Sequence, residues 1–176
     1  MTRLTRFTTF AAALALAASP TIALAGKPKG NIVAAAVQSP DHKTLVAAVK
    51  AAKLVDTLAG KGPFTVFAPT DAAFAKLPAG TVDTLLKPAN RATLQAVLTY
   101  HVVAGKVTAA QLVSAIQANG GTAQLTTVQG GVLTASLAGG KVLLTDAKGG
   151  TATVVTADLV QSNGVIHVTD AVSLPM

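Results

Sequence analysis

Gly62-Pro63-Phe64-Thr65-Val66-Phe67-Ala68-Pro69-Thr70-Asp71-Ala72-Ala73-Phe74 is the stretch on which the fold turns. It reads as one extended strand that stops and becomes a helix. Phe64, Val66 and Ala68 fall on one side of a strand, and Thr65, Phe67 and Pro69 on the other. Both sides carry a phenylalanine, so both faces of this strand are expected to be covered. Pro69 has no N–H to give to a ladder and ends the pairing. Thr70 then suits a helix N-cap, and Asp71 sits in the first turn, where a negative charge complements the helix dipole.

Upstream of this stretch the apolar residues recur at helical spacing. Asn31 is placed to cap a helix bearing Ile32, Val33, Ala36 and Val37, which Ser39-Pro40 ends. Asp41 is expected to cap a second helix with Leu45, Val49 and Ala52 on one stripe. Leu54, Val55 and Leu58 form a third, short piece before the break at Gly60-Lys61-Gly62-Pro63. Downstream, a short helix is expected over 81–87 and a longer one, marked by Leu94, Val97 and Leu98, over roughly 89–99. Tyr100-His101-Val102-Val103 reads as extended. Thr108 caps a further helix with Leu112, Val113 and Ile116, closed by Asn119-Gly120.

After Gly121 the period changes from 3.6 to 2. Segments 122–128, 131–137, 141–145, 151–157 and 164–169 read as strands, separated by Gly130-Gly131, Gly139-Gly140, Gly149-Gly150 and Asn163-Gly164. A helical first half and a meander of strands in the second half make an α+β arrangement.

The whole chain has 176 residues, 51% hydrophobic but only 3% aromatic, so its core must be built from Val, Leu, Ala and a few Phe. There is no Cys, which excludes disulfides, thiol catalysis and thiolate metal sites. All acidic residues are Asp, and the formal charge is +7. Arg3 and Arg6, the apolar run Phe7–Ala18 and the small-x-small Ala23-Leu24-Ala25 have the form of a Sec-type signal peptide cleaved after Ala25. Ser19-Pro20-Thr21 interrupts the run and argues against a membrane anchor. Cleavage removes two arginines and takes the formal charge from +7 to +5. Residues 26–30 then form a polar leader, and 31–175 a single domain. No later run is long and apolar enough to span a bilayer, so a secreted, periplasmic or cell-surface monomer is expected.

Catalytic signatures are absent from the sequence. His42, His101 and His167 share no metal-ligand spacing. No serine has a G-x-S-x-G or S-x-x-K context. The glycine pairs lie in hairpins and not in a phosphate loop. The lysines are scattered singly, one arginine follows the signal segment, and Tyr100 is the only tyrosine, a pattern unlike a nucleic-acid surface. No cofactor is expected.

Three segments in order, Thr65–Phe74, Tyr100-His101-Val102-Val103 and Asn163-Gly164-Val165-Ile166-His167-Val168-Thr169-Asp170, resemble the fasciclin-like domain family, the likeness covering about Asn31 to Pro175. The resemblance implies a wedge-like β-sandwich of about seven strands beside an N-terminal group of short helices. It implies a non-catalytic, extracellular adhesion module that binds a cell-surface or matrix protein or an acidic polysaccharide. In animal members, integrin adhesion is attributed to the Tyr-His segment and to an Asp-Ile pair. The matching positions here are Tyr100 and His101, and Asp158 and Leu159, with Leu in place of Ile. An exported hydrolase using His101 or His167 as base, and a carrier of a small apolar ligand between sheet and helices, are the alternatives. Asp158→Ala is expected to leave stability nearly unchanged.

Overall fold

The computed structural model describes residues 30–175. The expected signal peptide and all but the last residue of the leader lie outside the described residues. Three short helices come first: α1 (Ile32–Gln38), α2 (Lys43–Ala51) and α3 (Val55–Ala59). Asn31 caps α1 as its side chain suggests, accepting the Ala34 N–H at 2.8 Å. Asp41 does not cap α2. Its N-cap is His42, whose side chain makes no capping bond. The orphan N–H groups of Lys43 and Thr44 donate instead to the carboxylate of Asp71, at 3.3 and 2.8 Å. A distant acid thus serves a helix start that lacks a local one.

β1 (Phe64–Pro69) runs into α4 (Asp71–Ala75), with Thr70 accepting the Ala73 N–H as N-cap. Burial pushes the Asp71 carboxyl up, but the hydrogen bonds from Thr44 and Lys43 and the neighbouring His42 outweigh it and leave the carboxyl below its ordinary value. α5 (Thr81–Leu86), a single 3₁₀ turn (Pro88–Asn90) and α6 (Arg91–Tyr100) follow. Tyr100 and His101 were expected to be extended. Tyr100 instead ends α6 and His101 caps it, and β2 starts only at Val102 (Val102–Ala104). The apolar stripe Leu94, Val97 and Leu98 is buried on α6, and the helix runs one residue past its expected end at 99. α7 (Ala109–Ala118) starts with a capping box between Thr108 and Gln111.

The remaining strands are β3 (Thr122–Thr126), β4 (Val132–Ala138), β5 (Lys141–Thr145), β6 (Thr151–Gln161) and β7 (Gly164–Thr169). β6 is four residues longer than the alternating pattern showed, and the β6–β7 turn is Ser162-Asn163 rather than Asn163-Gly164. Seven strands form one sheet in the order β2-β1-β7-β6-β5-β4-β3. Thr151, Ala152 and Thr153 of β6 pair with β5, and the strand from Val154 onward pairs with β7 across two register shifts at Val154/Thr156 and Thr156/Leu159. These shifts bend the strand and fold the sheet into two leaves. The open edges then meet, through a bridge between Val103 and Thr127 and a hydrogen bond from Val128 N–H to Val102 O at 2.7 Å.

β1 lies between two apolar cores, as its double-sided pattern requires. Val66 and Ala68 pack with Ile32, Leu45, Leu58 and Leu98 beneath the helices. Phe67 packs between the leaves with Leu112, Ile116, Leu133 and Leu144. β1 pairs in parallel with β7, from Phe64 opposite Gly164 to Pro69 opposite Thr169, so the first and last motifs of the sequence are neighbours along their whole length. A Cβ on Gly164 would strike the Phe64 carbonyl, which fixes glycine at the start of that pairing. Asn163 secures the same corner. Its Oδ1 accepts the Ile32 N–H, and its Nδ2 donates to the carbonyls of Leu58 and Gly60.

Candidate functional site

The four candidate residues separate into two buried and two exposed. α6 delivers Tyr100 between the leaves, where it is 0% exposed. Its hydroxyl donates to Val132 O at 2.7 Å and accepts the Ala147 N–H at 3.1 Å. A Cβ on Gly131 would stand 2.6 Å from the Tyr100 ring, so the β3–β4 turn is shaped around that side chain. Burial pushes the phenol up from its ordinary value. His101, beside it, is equally enclosed. Its Nδ1 lies 2.7 Å from Val97 O, and its Nε2 accepts the Ser173 N–H at 3.0 Å. A carbonyl can only accept, so Nδ1 carries the proton and the ring is neutral. Burial holds the His101 imidazolium well below its ordinary value.

Asp158 and Leu159 lie at the bend of β6. Asp158 has φ 57°, a left-handed backbone that Asp tolerates better than most residues. Its carboxylate accepts the Ala109 N–H at 2.8 Å at the start of α7. Leu159 and Val160 are 40% and 38% exposed. Leu159 and Val160 pair in regular register with Ile166 and Val165 beyond the bulges, so they take opposite faces of β6, and both faces are open at this end of the strand. The strand expected from the sequence ended at 157 and did not reach Val160. Tyr100 and His101 contribute no surface, so they do not join Asp158 and Leu159 in one patch.

His167, on β7, stands behind Asp158. Its ring stacks on Phe67 at 5.5 Å, Nε2 lies 2.8 Å from Val107 O, and Nδ1 accepts the Asp158 N–H at 3.3 Å. Both candidate bases thus have both ring nitrogens engaged with backbone. Neither can take a proton from a nucleophile without breaking one of those bonds, so the geometry opposes the hydrolase alternative. Ser39 Oγ lies 2.7 Å from His42 Nδ1, but the other nitrogen of that ring has no partner, so no acid orients it. Among the described residues, no three His or Asp side chains gather as metal ligands, and no helix is long and apolar enough to cross a membrane.

The family model for the fasciclin domain matches residues 40–175. Protein sll1483 of Synechocystis sp. is 51% identical over 145 residues, covering 82% of this chain and 73% of its own length. Immunogenic protein MPB70 of Mycobacterium bovis is 38% identical over 166 residues, covering 90% and 77%. The cell surface glycolipoprotein MPB83 of Mycobacterium bovis is 43% identical over 94 residues, covering 51% of this chain and 41% of its own length. Among solved structures, a FAS1 domain pair from the insect cell adhesion molecule fasciclin I superposes with a TM-score of 0.72 at 20% identity, over 82% of this chain and 50% of that one. At that identity the likeness speaks to the fold alone.

Proposed function

This chain belongs to the fasciclin domain family, and on that premise we propose that it is an exported, non-catalytic adhesion module. It binds a surface protein or an acidic polysaccharide through the bend of β6. The observation that carries the reading is the consecutive exposure of Leu159 and Val160 beside Asp158. Apolar side chains on a backbone held from behind lose little freedom on binding, which favours contact energy over ordering cost. The relative that is a cell surface glycolipoprotein supports an extracytoplasmic location, as does the form of residues 1–25. The formal positive charge adds attraction to acidic polymers.

The test is solid-phase binding of the chain to surface-extract proteins and to alginate, with and without Leu159→Asp/Val160→Lys. The reading expects saturable binding that survives moderate salt and falls at least about tenfold in the double variant, the loss of about 1.4 kcal/mol of contact. Non-saturable binding, or binding equal in the variant, overturns it.

A further inference from the structure

An apolar chamber of about 190 Å³ lies on the helical side of β1, enclosed by α1, α2, α3 and the β1/β7 pair, with Ile32, Leu45, Leu58, Val66 and Ile166 among its walls. The polar side chains that reach it are His101 and Lys50. Both His101 nitrogens are already bonded to backbone, and Lys50 is exposed at the rim. The interior therefore offers water none of the two to four polar partners it needs, and an apolar void of roughly 150 Å³ is known to stay dry and take benzene. The chamber opens between α1 and α2. There it shares Ala36, Val37, Val46 and Lys50 with a shallow surface depression of about 290 Å³ that also contains Lys43. No acidic side chain lines either space, and neither lysine has an ion-pair partner among the described residues.

We infer that this chamber binds a medium-chain monocarboxylic acid, its alkyl chain inside and its carboxylate between Lys43 and Lys50. By the benzene comparison the space holds roughly eight carbons. The charge at the mouth selects the head, because two unpaired ammonium groups on one side of an apolar opening favour an anion over a neutral or cationic end. This site is independent of the β6 bend and goes beyond the adhesion reading.

Calorimetric titration of the chain with octanoate, octan-1-ol and octylamine tests it. Octanoate is expected to bind saturably with one site, to weaken about tenfold in Lys43→Glu/Lys50→Glu, and to be lost in Ala36→Phe, which plugs the mouth. Methyl NMR spectra of the unaltered chain locate the ligand without relying on a variant: octanoate should shift Val66 and Ile166. Absence of saturable octanoate binding, equal affinity for octan-1-ol, retention in a folded Ala36→Phe variant, or shifts confined to other methyls would each overturn the proposal.

Discussion

The backbone N–H of Asp158 donates to Nδ1 of His167 at 3.3 Å, while Nε2 of the same ring reaches Val107 O at 2.8 Å. A histidine on β7 thus holds both the bend of β6 and the segment leading into α7. Asp158 closes the loop by accepting the Ala109 N–H at 2.8 Å. The motif histidine is a structural pin behind the exposed Leu159 and Val160.

His167→Phe isolates that pinning. Phenylalanine keeps the stacking against Phe67 but leaves the Val107 carbonyl and the Asp158 N–H unpaired. A loss of about 1–3 kcal/mol is expected, measured by urea denaturation. Faster hydrogen exchange at Asp158 than at Val165 should accompany it. An unchanged exchange rate at Asp158 would mean that β6 is held by other contacts.

Asp158→Ala is not the near-neutral change that the sequence suggests. It removes an acceptor at a helix start and puts a Cβ-bearing residue less suited to φ 57° in its place. About 1–2 kcal/mol should be lost. Asp158→Asn keeps the acceptor and tolerates the left-handed backbone, so it should stay within about 0.5 kcal/mol of the parent. Comparing the two in the binding assay separates the carboxylate's charge from its role as a cap.

Phe67→Ala should cost about 3–5 kcal/mol, since the side chain is 1% exposed and fills the space between the leaves. A lowered melting temperature is the readout. An unchanged one would contradict the position of β1 between two cores.

What the sequence discloses and what it hides divides by range of interaction. The double-faced β1 and the caps at Asn31, Thr70 and Thr108 were legible because each depends on residues a few positions apart. The Asp71 bond to Thr44, 27 positions away, depends on how α2 and α4 meet, and local reading assigned that helix start to Asp41 instead. The far half of β6 was illegible because its bulges destroy the alternation by which strands are recognised. Tyr100 and His101 were legible as a motif but not as interior residues, since Tyr100 is buried by the leaves closing over it and His101 by its place between Val97 and the distant Ser173. The apolar chamber has no local signature either, because it arises from the spacing of three helices above a sheet.

His101 gives the fold a pH dependence of definite sign. Burial lowers its folded-state pKa from the ordinary value of 6.5, and the bond to the Val97 carbonyl and the nearby Asp146 only partly offset this. Above about pH 6.5 the ring is neutral in both folded and unfolded chains, and its contribution to stability is fully present. As pH falls below that value the unfolded chain takes up a proton that the folded chain refuses. Stability should therefore decline by up to about 1.4 kcal/mol per pH unit until the folded pKa is reached. Asp71, whose carboxyl is lowered, acts in a separate window: its contribution is present above the unfolded value of 3.8 and is lost as the pH falls through the folded one. Urea midpoints between pH 8 and pH 5 should thus report His101 with little interference from Asp71. His101→Gln places a non-titrating amide against Val97 and Ser173; it should be less stable at pH 8 but show a flatter profile. If parent and variant decline in parallel, the acid sensitivity resides elsewhere.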